Sequence, residues 1–246
     1  MHHVTLSPRR RLSLALVTLV IATVTACGGD DDTTSSTSST STTEADGAAS
    51  DSAGGHSEHG TSGSMGIEAG TVEDVAALGA GPAVGDSWLV PVGLNVCGRF
   101  VEAPTGDAVR GVRSAEGATA VVEPTDEASS GHAATVGSYA ESAGVELSTG
   151  TIVLPEDLVP AEIELEGEDL TIAGTTFRTG DRCGSAAAEV QVWVYSTDAV
   201  ASGEGILTVV EDPEQVPFAE EGMAVVIALM PESSLPTLPP SALNLG

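Results

Sequence analysis

The chain has three thiols, Cys27, Cys97 and Cys183, and five histidines among its 246 residues. These side chains are the best nucleophiles and soft metal ligands available, so their spacing comes first. His56 and His59 stand three apart with Glu58 between them, in Gly-His-Ser-Glu-His-Gly. Two imidazoles and a carboxylate can touch a cation, but a transition-metal site takes three or four ligands fixed on a frame. This run sits in a polar stretch that supplies no frame. His132 is the one histidine in the aromatic-bearing part of the chain. A general base needs a nucleophile beside it, and no Gly-x-Ser-x-Gly elbow is present. His132 therefore reads as a helix-cap or surface residue. Neither His-Glu-x-x-His nor an EF-hand loop occurs. With 36 acidic residues, a glycosidase-like carboxylate pair would arise by chance. Lysine is absent, which excludes a Walker A loop and Schiff-base or pyridoxal-phosphate catalysis. No catalytic residue, cofactor or metal ligand is assigned on this reading.

Cys27 has a context of its own. Arg9, Arg10 and Arg11 precede an apolar run from Leu12 to Val24, and Val24-Thr25-Ala26 leads into the cysteine. That is the order of an export signal, and the run is short for a membrane span. Val-Thr-Ala-Cys resembles a bacterial lipobox. The resemblance implies that the Cys27 thiol is lipidated and that residues 1–26 are cut away, leaving a membrane anchor on the extracytoplasmic face. The alternative is an ordinary signal peptide with Cys27 incidental.

Removing that segment leaves five arginines, Arg99, Arg110, Arg113, Arg178 and Arg182, against 36 acids, a formal charge of −31. Such a surface repels nucleic acid and anionic head groups. The expected partners are the membrane, through the lipid anchor, and an envelope protein or small ligand. Residues 27–66 are rich in Asp, Ser, Thr, Ala and Gly and contain no aromatic residue. They offer too little apolar surface to offset chain entropy. They read as a disordered spacer of roughly 35 Å mean reach, with hydroxyls suited to O-glycans.

All seven aromatic residues lie from Trp88 to Phe218, which sets the folded domain at residues 83–235. Residues 67–82 read as a transition and 236–246 as a Pro-containing extended tail. Val90, Val92, Leu94, Val96 and Phe100 share one parity, predicting a strand with one buried face. Short strands are expected at 118–123 and 151–154. Leu170–Ile172 and Thr175–Phe177 read as a hairpin about Ala173-Gly174. From Glu189 to Tyr195, Val190, Val192 and Val194 face inward with Trp193 on the other side. Residues 206–210 and 223–230 give the last strands. Val136, Tyr139, Ala140 and Ala143 have helical spacing within 130–143, and Gly144 supplies a stop. About seven strands and one main helix make an α+β domain, mostly antiparallel, either β-grasp-like or a β-sandwich. In an oxidising compartment Cys97 and Cys183 are expected to pair, which would stabilise by about 4 kcal/mol.

Several runs resemble an uncharacterised family of exported actinobacterial proteins. They are Gly85-Asp86-Ser87-Trp88, Gly93-Leu94-Asn95-Val96-Cys97, Gly111 to Pro124, Ala134-Thr135-Val136-Gly137, Ala143-Gly144-Val145, Gly180-Asp181-Arg182-Cys183-Gly184, Val190-Gln191-Val192-Trp193-Val194, and Asp212-Pro213 before Val216-Pro217. The likeness runs from Val84 to Leu245. That family carries Asp-His-Trp-His at the first run and His-x-His-Gly-Asp-Gly-x-x-His-x-His-Pro within the third, which implies a metal site. This chain has Ser87 and Leu89, then Arg113, Ala115, Val121 and Glu123, at the histidine positions. Its domain is expected to hold no transition metal. Three functions compete at this stage: a displayed binding or structural module, a metal-binding protein as the resemblance implies, and an enzyme built on carboxylates.

Overall fold

A computed structural model describes residues 66–235 and 237–244. Cys27, His56, Glu58 and His59, with the signal and nearly all of the spacer expected above, lie outside the described residues.

The chain's apolar alternation becomes a nine-stranded mixed sheet. Its main path runs β1 (Ile67–Ala69), β13 (Ile206–Val209), β12 (Ala186–Tyr195), β14 (Ala224–Pro231), β2 (Trp88–Val96), β5 (Thr119–Val122), β4 (Val112–Ala115), while β3 (Arg99–Val101) pairs with β2 and β11 (Arg182–Cys183) with β12. The β1–β13 and β14–β2 pairs are parallel and the others in this sheet antiparallel. β14 is central and reads Ala-Val-Val-Ile-Ala-Leu-Met-Pro, buried along its whole length except Pro231. A strand covered on both faces has no need of polar alternation. Two small antiparallel sheets stand beside the large one: β10 (Thr176–Arg178), β7 (Thr151–Val153) and β6 (Glu146–Ser148), and β8 (Glu162–Leu165) with β9 (Glu168–Thr171).

Each face of the large sheet carries its own core. On one, Val90, Val92, Leu94 and Val96 meet Val190, Val192, Val194, Val225, Ile227 and Leu229, and are covered by Val136, Tyr139 and Ala140 of α2 (Val136–Ser142) and by Ile152, Leu154 and Phe177. On the other, Trp193, Tyr195, Val226, Ala228 and Met230 are covered by Ala199 and Val200 of α3 (Thr197–Ser202), by Phe100, and by Leu238 and Ala242. The split of Val192 and Val194 from Trp193 is the expected one.

Several expectations are corrected. Phe100 belongs to the second core, not the first. Cys97 and Gly98 both have positive φ (52° and 84°), making a tight turn that folds β3 back on β2, with Val96 opposite Arg99. Asn95, fully buried, accepts the Gly98 amide at 2.9 Å and fixes that turn. The Ala173-Gly174 hairpin does not form. β9 pairs with β8 through a turn at Glu166-Gly167 (φ 54° and 86°), and β10 pairs with β7. The helix at 130–143 is shortened to α2, because Ala134 is extended (φ −79°, ψ 103°) and Thr135 caps the helix by accepting the Ser138 amide at 3.2 Å. The fold also takes in residues set apart as flanks. β1 lies in the large sheet, and α1 (Val72–Ala76) opens with a Thr71–Asp74 capping box. Past Met230, the tail folds into a 3₁₀ turn at Pro240–Asn244, where Ser241 donates to the Ala118 carbonyl at 2.7 Å.

Cys97 and Cys183 are disulfide-bonded, with Cα atoms 5.2 Å apart. The bond lies against the end of β14: the Cys97 amide donates to the Leu229 carbonyl at 2.8 Å, and Cys183 Sγ is 3.7 Å from the same oxygen.

Candidate functional site: a cleft lined by two arginines

The edge of the sheet at β2, β5 and β4 has one face in the core and one turned out. Trp88 stands opposite Val122 and Leu89 opposite Val121, while Val121 is also opposite Arg113 and Ala115 opposite Thr119. Side chains alternate across a strand, so Val90, Val112, Ser114, Ala120 and Val122 are buried inward. Leu89, Arg113, Ala115, Val121 and, one step beyond the ladder, Ser87 and Glu123 share the outer face. Ser87 donates to Glu123 Oε1 at 2.9 Å there. The six positions at which the resemblance places imidazoles thus fall on one face of one three-stranded patch. Nothing in their sequence spacing brings 87–89 to 113–123; the pairing of β2 with β5 does.

A cleft of about 680 Å³ opens over the Arg113, Val121 and Glu123 part of this face, within the size range of small-ligand sites. Val121 and Arg113 form its floor with Glu123. Arg110 and Gly111 close one end, and the 125–129 loop forms a wall. That wall is fixed by Ser129, buried, whose hydroxyl accepts the amides of Thr125 and Asp126 at 3.2 Å and bonds Asp126 Oδ1 at 2.8 Å. Opposite, Val109 and Val112 exchange amide-to-carbonyl bonds at 2.8 and 2.9 Å. Between them Arg110 and Gly111 have φ of 46° and 75°, the pattern of a two-residue type I′ turn. Gly111 is required on a second count, since a Cβ there would meet the Glu123 carbonyl oxygen at 2.9 Å. Arg110 has no such exemption, and a long side chain in the left-handed region is uncommon.

Arg110 and Arg113 make no side-chain hydrogen bond or ion pair among the described residues. A second cleft, about 750 Å³, lies on the other side of Arg110 and is lined by His132, Thr135, Glu141, Glu146 and Glu214. Glu214 Oε2 is buried there without a partner. His132 is exposed, with Nε2 2.7 Å from the Gly79 carbonyl, and so serves to tie its 3₁₀ turn to the 79–81 segment. Beneath the hairpin, Tyr139 and Ser114 present buried hydroxyls to each other without meeting hydrogen-bond geometry. Burial raises the Tyr139 pKa above its ordinary value, partly offset by Ser114.

No family model, no curated protein and no solved structure matches this chain.

The site therefore rests on its own geometry. Among the described residues no group of three or more His, Cys, Asp or Glu side chains is placed to hold a metal ion. What the cleft offers is hydrogen-bond donors, ten N–H on the two guanidiniums, over a partly apolar floor. Arg110 and Glu214 were not singled out in the sequence. The Arg110-Gly111 dipeptide between two valines was the available turn signal for the first; Glu214 had none.

Proposed function

We propose that the chain is a lipid-anchored envelope protein whose domain binds a small ligand in the cleft over β4 and β5, without catalysing a reaction. The observation that carries this reading is the cleft: a preformed concavity on a rigid sheet face, walled by a hydrogen-bonded loop, with two cationic side chains that the protein leaves unpaired. Display from the membrane through Cys27 fits the Arg9–Arg11, Leu12–Val24 and Val24–Cys27 sequence order. The expected location is the extracytoplasmic face of the cell membrane. In fold, we favour the β-grasp-like arrangement over a sandwich, because α2 packs against β4 on one side of the sheet.

Two measurements test it. Metabolic labelling with a fatty acid should mark the wild type and not Cys27→Ser; equal labelling would remove the anchor. Ligand-detected NMR against a panel of small polar metabolites should give at least one compound whose binding is lost on filling the cleft by Val121→Trp. A panel without such a compound would remove the binding role.

A further inference from the structure

Granting that the cleft is a binding site, its ligand can be narrowed. We infer that the ligand carries an oxyanion, a carboxylate or phosphate group, held between the guanidiniums of Arg110 and Arg113. Three observations point the same way. First, acids outnumber basic residues 36 to 8 in the chain, so an arginine has carboxylates to choose from. Both arginines of this cleft nevertheless have none among the described residues; Arg99 and Arg178 are unpaired as well, but only Arg110 and Arg113 line one cleft together. Second, Arg110 occupies a turn position that asparagine or glycine would fill without strain, and no contact within the domain offsets that cost. The place is explained if the guanidinium is needed for something outside the chain. Third, each carboxylate of the same cleft already accepts a hydrogen bond from within the chain. Glu123 accepts from Ser87 through Oε1 and Asp126 from Ser129 through Oδ1, whereas the guanidinium donors of Arg110 and Arg113 are all unengaged among the described residues.

The rest of the domain does not forbid an anion. Charges more than about 8 Å away are largely screened at physiological ionic strength; the cleft's own lining carries two arginines and two carboxylates, and Glu141, Glu146 and Glu214 line the neighbouring cleft that shares Arg110. Guanidinium forks match carboxylate and phosphate edges in paired hydrogen bonds. Val121, Ala108 and Ala128 give the cleft apolar lining for the ligand's carbon part. A small organic acid or phosphate ester fits that combination better than a bare ion.

The test uses the full ¹⁵N-labelled chain in non-ionic detergent, titrated at constant ionic strength with inorganic phosphate in one arm and citrate in another. Amide shifts at Leu89, Arg113, Val121 and Glu123 are followed. The expected result is saturable movement of these amides in at least one arm, the tighter arm naming the oxyanion. Arg110→Gln and Arg113→Gln should each weaken it by roughly tenfold or more, and Arg99→Gln should leave it unchanged. Non-saturable shifts, or equal losses with Arg99→Gln, would overturn the inference. If neither oxyanion moves these amides but a neutral sugar or dipeptide does, the inference falls and the binding role stands. If no probe moves them, both fall.

Discussion

Ser87 Oγ and Glu123 Oε1 are 2.9 Å apart although 36 residues separate them in the chain, because β2 and β5 bring their ends together. Replacing this pair by histidines puts two imidazoles side by side on a rigid patch. Val121→His and Leu89→His add two more on the same outer face. The quadruple variant is expected to retain zinc through dialysis, since four imidazoles on one frame satisfy a tetrahedral site, while the wild type retains none. Elemental analysis reads both. Loss of zinc from the quadruple variant would show that the patch is not held as described.

Arg110 adopts φ 46°. Asparagine tolerates that conformation better, so Arg110→Asn is expected to stabilise the domain by about 0.5–1 kcal/mol in urea unfolding. The same substitution should weaken oxyanion binding. A gain in stability coupled to a loss of binding is the signature of a residue kept for its ligand.

Removing the disulfide by Cys97→Ala with Cys183→Ala reopens a loop of 86 residues. The chain-entropy relation puts the cost at about 4–5 kcal/mol, a large share of the total for a domain of this size. Chemical unfolding under oxidising and reducing conditions should show the wild type losing a comparable amount and the double variant unaffected by reductant.

Tyr139 and Tyr195 are both buried, and desolvation raises both pKa values above the ordinary 10. Below that value the two states bind the same protons and the stability is unaffected. Above it the unfolded tyrosines ionise while the folded ones stay protonated, so stability falls as pH rises. The slope approaches about 1.4 kcal/mol per pH unit for each tyrosine. Unfolding midpoints measured from pH 9 to 12 should drop only above 10, and Tyr139→Phe should flatten the drop.

Trp193 is 2% exposed and among the largest fully buried side chains. Trp193→Ala is expected to cost about 3–5 kcal/mol, read from denaturant midpoints, with α3 and the 237–244 segment losing amide protection first because they cover that face.

Where burial is periodic, the sequence was readable. β12 shows it best: Val190, Val192 and Val194 enter one core and Trp193 the other, as alternation requires. The failures occurred where two local signals competed. Phe100 continues the parity of Val96, but Cys97 and Gly98 turn the chain over before it. Ala173-Gly174 and Glu166-Gly167 are equally good turns on paper, and the partner of β9 decides between them. α2 begins late because Thr135 can cap, a local bond that stops the helical pattern running back to residue 130. The candidate site was legible only as scattered positions. Arg113, Val121, Glu123, Ser87 and Leu89 were each marked, but their meeting on one face depends on long-range pairing, and Arg110 depends on a turn type.

Among the described residues, β14 is the last strand in sequence and the middle strand of the sheet. It alone joins the β1–β13–β12 half to the β2–β5–β4 half. A chain delivered N-terminus first, from a ribosome or through a translocation pore, would hold both halves ready with an open slot between them and no way to close it. Two exposed strand edges would face each other across that slot until residue 231 arrived. Protection of such edges falls to something outside the sheet, a chaperone or the pore itself. Any deletion reaching back into 224–231 should leave not a trimmed domain but two unjoined half-sheets.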